Sequence, residues 1–427
     1  MLSIKRIQKE AGEIIERLKV RNFDGSELIG QVIDQDKKRR GILQDTEKKK
    51  AELNRLSTDI GNLFREKKND EAKQTKEKTG KLKEEIKKLD KEVGEIENKL
   101  NDLLIRIPNI PHSSVPAGNS EGDNEEIRTG GEFPELPGDA LPHWELAVKY
   151  DIIDFELGNK ITGAGFPVYK GKGAKLQRAL INFFLDEGTK AGYLEVQPPV
   201  VVNEDSGYGT GQLPDKDGQM YYIQTDNLYL IPTAEVPVTN MYRNVILDAE
   251  ELPVKNIAYT LCFRREAGSY GKDVRGLNRL HQFDKVEIVQ IQHPGKSYET
   301  LEEMTVHIEG LVQKLGLPYR IMRLCGGDLS FTSALTYDFE VFSAAQKKWL
   351  EVSSVSNFES FQSNRLKLRY KEKGEKKTNI AHTLNGSALA LPRILAALLE
   401  NNQTPGGIMI PEILRPYTGF DIITRNP

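Results

Sequence analysis

Apolar residues recur every three and four positions across a proline-free N-terminal stretch, and no other feature narrows the possible fold as much. Leu82, Ile86, Leu89, Val93, Ile96, Leu100 and Leu103 are spaced 4-3-4-3-4-3, a heptad seam. Leu53, Leu56, Ile60 and Leu63 follow a 3-4-3 spacing. The polar run Lys67-Lys68-Asn69-Asp70-Glu71 separates the two series, and the first proline is Pro108. The pattern predicts two long helices, over about 27–66 and 70–104, folded back on each other as an antiparallel coiled-coil hairpin. At about 1.5 Å per residue each would reach roughly 50–60 Å. A shorter amphipathic helix over about 4–18 precedes them. Such a hairpin serves either as a dimerisation spacer or as an arm that reaches an elongated partner. Lys37-Lys38-Arg39-Arg40, Lys48-Lys49-Lys50, Arg55 and Arg65 favour a polyanion, while the acids between them fit a solvated charged face equally well.

Composition limits the rest. A chain of 427 residues has room for two or three domains and a large core. A net charge of −3 argues against a protein coated in nucleic acid, so RNA contacts must use local patches. Two cysteines, Cys262 and Cys325, leave no disulfide framework and no Cys-rich zinc site. No apolar stretch approaches the roughly 18–20 residues of a membrane span, and the charged start lacks a signal core. A cytoplasmic protein with no membrane partner is expected.

The chain divides into a helical arm over 1–105, a linker over 106–145 punctuated by Pro108, Pro111 and Pro116, and a large domain over 146–427. Helix 173–190 puts Leu176, Leu180, Phe183 and Phe184 on one side. Strand candidates are 193–201, 228–232, 257–265, 281–291, 319–324, 337–343 and 348–356. They come in consecutive pairs, which predicts an α+β fold with an antiparallel sheet flanked by helices, not a βαβ winding.

No dinucleotide fingerprint and no P-loop is present; Gly271-Lys272 lacks the glycine five positions earlier. The six histidines show no ligand spacing and read as structural or surface residues. Two distant stretches instead read as halves of one site. Residues 260–287 form a strand–loop–strand hairpin. In Phe263-Arg264-Arg265-Glu266, strand alternation puts Arg264 and Glu266 on one face, while Phe283 and Glu287 share a face on the return strand and Arg275 sits in the loop. Residues 385–400 form a strand-to-helix turn that delivers Arg393. Each Arg–Glu pair read alone is a structural ion pair. Several guanidinium groups converging on one cavity repel each other unless an anion sits there, and phosphate is the natural occupant. Phe283 offers a face for a flat base.

With these residues the chain resembles the seryl-tRNA synthetases, within class II aminoacyl-tRNA synthetases. Gly192-Tyr193-Leu194-Glu195-Val196-Gln197-Pro198-Pro199 is similar to class II motif 1, the 260–287 stretch to motif 2, and residues 385–400 to motif 3. Thr210-Gly211-Gln212-Leu213-Pro214, Pro232-Thr233-Ala234-Glu235-Val236-Pro237, Glu351-Val352-Ser353-Ser354-Val355-Ser356-Asn357-Phe358 and His382-Thr383-Leu384-Asn385-Gly386-Ser387 match family segments, as do the arm and Ile107-Pro108-Asn109-Ile110-Pro111-His112. The resemblance implies a serine–tRNA ligase that uses ATP and L-serine and is a homodimer through motif 1. Its arm would hold tRNA(Ser), and a selenocysteine tRNA where one exists. It also implies roles by position. Arg264 and Arg393 are catalytic, with Arg264 on the α-phosphate and Arg393 toward the γ-phosphate. ATP contacts further include Arg265, Glu266 on the adenine amino group, Arg275, Phe283 stacked on the ring, Val352 and Ser353. Glu351 and Ser354 hold Mg²⁺ with ATP. Thr233, Ala234, Glu235, Glu287 and Ser387 surround the serine. No zinc is expected. Pro392 stands where many members carry Gly, and Asp215-Lys216 where many carry Lys-Phe. A tRNA-independent or carrier-protein ligase, a non-catalytic RNA-binding paralogue and a synthetase for another amino acid are the competing readings.

Overall fold

The structure is a computed structural model that describes residues 1–215, 218–266 and 275–425. The middle of the motif 2 loop, including Gly271-Lys272, and Lys216 of the Asp215-Lys216 departure lie outside the described residues. By contact density the chain divides into two compact units. One comprises Met1–Lys19 with Phe23–Pro108, and the other Val20–Asn22 with Asn109–Pro427.

The first unit is helical: α1 (Ile4–Lys19), α2 (Ser26–Arg65) and α3 (Asn69–Leu104). The seam predicted from the heptads is buried on α3 at Leu82, Ile86, Val93, Leu100 and Leu103. On α2 the second series, Leu53, Leu56, Ile60 and Leu63, is only half-buried. Lys49–Glu85 at 2.6 Å, Lys50–Asp90 at 3.0 Å and Arg39–Glu97 at 3.4 Å cross between the helices and show them running antiparallel. Arg39, Lys49 and Lys50, among the cations read as a polyanion-binding face, are therefore paired across the hairpin. Asp36 is buried and holds Gln8 of α1, Arg39 and Arg40, pinning the short helix to the long one.

The second unit is built on an eight-stranded sheet. In chain order its strands are β1 (Glu125–Gly130), β2 (Leu194–Glu195), β3 (Val254–Phe263), β4 (Gln282–Gln292), β5 (Tyr319–Arg323), β6 (Leu335–Ser343), β7 (Lys348–Glu359) and β8 (His382–Ala390). Across the sheet they lie in the order β1-β5-β6-β7-β8-β4-β3-β2. Among the described residues every neighbouring pair is antiparallel except β2 with β3. The predicted α+β class is the observed one. Within the stretch read as a linker, β1 forms the outer strand against β5, with Glu125 paired to Arg323.

One face of the sheet carries α4 (Gly171–Lys190), α5 (Ser297–Lys314) and α6 (Leu391–Asn401) over a core that includes Phe183, Phe184, Met304, Ile308, Val286, Ile288 and Leu395. Alternation along β4 sorts its side chains. Asp284 accepts Gln177 of α4 at 2.8 Å, and Val286 and Ile288 enter the core. Phe283, Lys285 and Glu287 therefore turn to the opposite face, which becomes the floor of the site.

Candidate active site

The site floor is fixed by strand register. On β4, Phe283 stands opposite Cys262, Lys285 opposite Thr260 and Glu287 opposite Ala258 of β3. On the other side Glu287 faces Ser387 of β8. Next along, Gly386 faces Val355 of β7, and Ser354 faces Asp338 of β6. A one-residue slip would turn Phe283, Lys285 and Glu287 into the core, so burial of the opposite face holds them here.

At one end Thr233, Glu235, Lys285, Glu287 and Ser387 form a buried polar cluster, each at most 7% exposed. The Thr233 hydroxyl donates to Glu287 Oε2 at 3.0 Å and accepts from Lys285 Nζ at 2.8 Å and from the Glu235 N–H at 3.2 Å. Lys285 and Glu287 form a close ion pair. Burial, then the neighbouring Glu287 charge, pushes the Glu235 carboxyl up to about 7. Gln362 donates to Glu235 Oε1 at 2.6 Å and to the Thr210 carbonyl at 3.2 Å, and accepts from Thr383 at 2.8 Å. Ala234 packs with Val238, Ala258 and Val289 behind this cluster. Neither Lys285 nor Gln362 was singled out in the sequence. The Phe283-Lys285-Glu287 alternation could have flagged Lys285; Gln362 arrives from a separate helical turn and carried no signal.

Toward the other end lies Phe283, with the Arg264 guanidinium 5.3 Å over its ring. Arg264 continues the ladder by one bond, its N–H donating to the His281 carbonyl. The alternation expected through Glu266 is not realised. The strand ends at Phe263, the Arg265 N–H turns to the Gln219 carbonyl at 2.9 Å, and Glu266 adopts a left-handed φ of 48°. The Glu266 carboxylate is held by Arg279 at 3.2 Å. Arg265 is exposed, and the Arg275 guanidinium lies 4.8 Å over the Trp144 ring.

Arg393 enters from the first turn of α6, where Pro392 is tolerated because the missing N–H has no helical partner there. Its Nε donates to the Asn278 carbonyl at 3.0 Å and its Nη1 to the Glu351 carbonyl at 2.8 Å, with Glu351 Oε2 at 3.5 Å. The Asn278 carbonyl is itself placed by a buried pair. His143 accepts the Leu277 N–H on Nε2 at 2.8 Å, so its proton sits on Nδ1, which donates to Glu400 of α6 at 2.7 Å. Burial raises the Glu400 carboxyl, but hydrogen bonds from His143 and from the Ser343 hydroxyl outweigh it and hold it below the usual range. His143 is thus structural, as read from the sequence.

Glu351 and Ser354 share one end of β7, Ser354 donating to Glu351 Oε1 at 3.5 Å. Val352 turns into the core, so only its backbone faces this side, and Ser353 donates to the Ser387 carbonyl at 2.6 Å. Burial, then the Glu351 charge, keeps the Asp338 carboxyl well above its usual range. Among the described residues no group of three or more His, Cys, Asp or Glu forms a metal-binding cluster, and no helix is long and apolar enough to cross a membrane.

The arrangement agrees with what the chain is similar to. Residues 1–111 match the seryl-tRNA synthetase N-terminal domain, and residues 221–402 the tRNA synthetase class II core domain (G, H, P, S and T). A Serine--tRNA ligase of Salinibacter ruber is 51% identical over 98% of each chain. The crystal structure of seryl-tRNA synthetase from Pyrococcus horikoshii complexed with ATP superimposes with a TM-score of 0.92 at 33% identity, over all of both chains. That of a cytoplasmic Serine-tRNA ligase from Naegleria fowleri in complex with AMP gives 0.87 at 28% identity, over 100% and 99%.

Proposed function

Because the chain belongs to the seryl-tRNA synthetase family, we propose that it activates L-serine with ATP and transfers the seryl group to tRNA(Ser). The observation that carries this is the placement, on one sheet face, of an aromatic platform with its arginine and a buried carboxylate–hydroxyl cluster. Along β4, Phe283 and Glu287 are four residues apart, roughly 13 Å at strand rise. That spacing suits an aminoacyl adenylate lying along the strand.

In the first step the serine carboxylate attacks the α-phosphorus in line and pyrophosphate leaves. Nothing covalent forms on the protein, so its work is positioning and charge stabilisation. Adenine stacks on Phe283, with its amino group read by Glu266. Arg264 grips the α-phosphate, and Arg393, fixed at two carbonyls, takes the charge toward the γ-phosphate. Arg265, Arg275 and the backbone at Val352 and Ser353 complete the triphosphate side. Glu287, with Thr233 and Glu235, takes the serine ammonium, and Ser387, opposite Glu287, meets the hydroxyl beside Ala234. A site that satisfies its polar groups with that hydroxyl rejects alanine, which would leave them unpaired.

Glu351 and Ser354 fit a magnesium ion. They are hard oxygen donors, few in number, beside an exposed edge, as suits a metal that keeps waters and phosphate oxygens in its shell. When bound with ATP it would neutralise phosphate charge. In the second step the terminal ribose 3′-hydroxyl of the tRNA attacks the seryl carbonyl, and AMP leaves. The arm would grip the tRNA body through phosphates, and motif 1 would make a homodimer, its β2 presenting an exposed apolar side chain at Leu194.

ATP–pyrophosphate exchange, run with serine beside threonine, alanine and glycine, tests this. Serine alone should stimulate exchange strongly; exchange driven better by another amino acid, or by none, overturns the assignment.

A further inference from the structure

The geometry points to Lys285 as a positioning residue for the amino-acid substrate, one that holds Glu287 and Thr233 in the pose that receives the substrate ammonium. This rests on the serine-activating reading above. Lys285 is buried at 5% exposure, halfway along β4 between the Phe283 platform and Glu287. A lysine in such a place is stable only with partners. It has two, and they also bond each other. Its ammonium reaches Glu287 Oε2 and the Thr233 hydroxyl oxygen, and the hydroxyl donates its one proton to the same Glu287 Oε2.

This closed triangle has two consequences. The Thr233 hydroxyl, which could otherwise rotate, has its proton committed to Glu287 and its lone pairs to Lys285 and the Glu235 N–H. The bonds just named to Glu287 fall on Oε2, so Oε1 stays out of the triangle and is left for the incoming ammonium. Lys285 also supplies a positive charge between two buried carboxyls, Glu235 and Glu287, whose repulsion would otherwise disfavour the pocket. Without the lysine, Thr233 is free to turn and Glu287 loses a charge-assisted bond. The penalty then falls on serine binding, while the Phe283 platform is untouched.

The test is steady-state exchange kinetics on the full chain with L-serine and ATP, comparing wild type with Lys285→Met. The side chains have similar length, and the ammonium alone is lost. Serine KM should rise roughly 10- to 100-fold, as for a lost bond to a charged group, with ATP KM within about twofold. Lys285→Gln keeps a donor without the charge; it should fall between the two and stands in if the Met variant does not fold. An unchanged serine KM in a folded variant overturns the inference. So does an equal rise in both KM values with a lowered melting temperature, the mark of a structural role. Wild type that fails to exchange with serine would instead sink the functional reading itself.

Discussion

Glu287 and Ser387 stand directly opposite each other in the antiparallel pairing of β4 and β8. Two segments a hundred residues apart in sequence thus deliver a carboxylate and a hydroxyl to one spot, and the ladder sets their spacing. Loss of either should show as a defect in amino-acid binding with the ATP side preserved. Glu287→Gln should raise serine KM roughly 10- to 150-fold, the range for a bond to a charged group. Ser387→Ala should raise it less, about threefold to tenfold. Exchange kinetics with each substrate varied in turn check this.

Arg393 is bound by backbone carbonyls from two segments, Asn278 and Glu351. It is aimed before any ligand arrives, as electrostatic preorganisation requires. Arg393→Ala should lower adenylation by about 10²- to 10³-fold and leave tRNA affinity largely intact. Removal of residues from about 30 to 100, most of α2 and α3, should do the reverse. Single-turnover adenylation and filter binding of tRNA(Ser) separate the two; equal loss of both in either variant contradicts the division of labour.

Glu235 gives a pH signature. Its folded value of about 7 lies above the ordinary 4.5, so the folded state holds a proton that the unfolded chain has lost. The associated stability is fully present below about pH 4.5 and is lost as pH rises through about 7. Relative to Glu235→Gln, wild type should lose about 3 kcal/mol across that window, the size that a shift of this order carries. Urea unfolding of both proteins at pH 5, 6, 7 and 8 reads the difference. Ionisation of Glu235 over the same range should lower wild-type serine KM, and the Gln variant should lack that dependence.

The buried pair His143–Glu400 joins the base of the motif 2 loop to α6. His143→Leu strips Glu400 of its partner and orphans the Leu277 N–H. It should cost about 3–5 kcal/mol of stability, the usual consequence of breaking a buried pair from one side. Because the Asn278 carbonyl beside it holds Arg393, the folded fraction should also show a higher ATP KM. Denaturation and kinetics on the same preparation check both parts.

What the sequence revealed follows from which interactions are periodic. The arm was legible because Leu82 to Leu103 repeat in heptads, and a seam needs no distant partner to be recognised. The Phe283 and Glu287 pairing was legible because strand alternation is local. β1 was hidden. Glu-Glu-Ile-Arg-Thr-Gly has no apolar alternation, and its place at the sheet edge is carried by partners about two hundred residues away, Arg323 for Glu125 and, at 3.9 Å, Arg320 for Glu126. Lys285 and Gln362 were hidden for a related reason. A buried lysine or glutamine is defined by its partners, and Thr233, Glu235 and Thr383 come from other segments. At Glu266 alternation misled, because the chain leaves the ladder after Arg264 and turns left-handed.

The most direct test of the account is a crystal structure of the protein with a non-hydrolysable seryl-adenylate analogue. The adenine is expected on the Phe283 ring, the sulfamoyl group at Arg264 and the seryl ammonium within hydrogen-bond distance of Glu287. An analogue bound away from β4, or lying along it with its ends exchanged, would contradict the central claim that one strand face lays out both substrates.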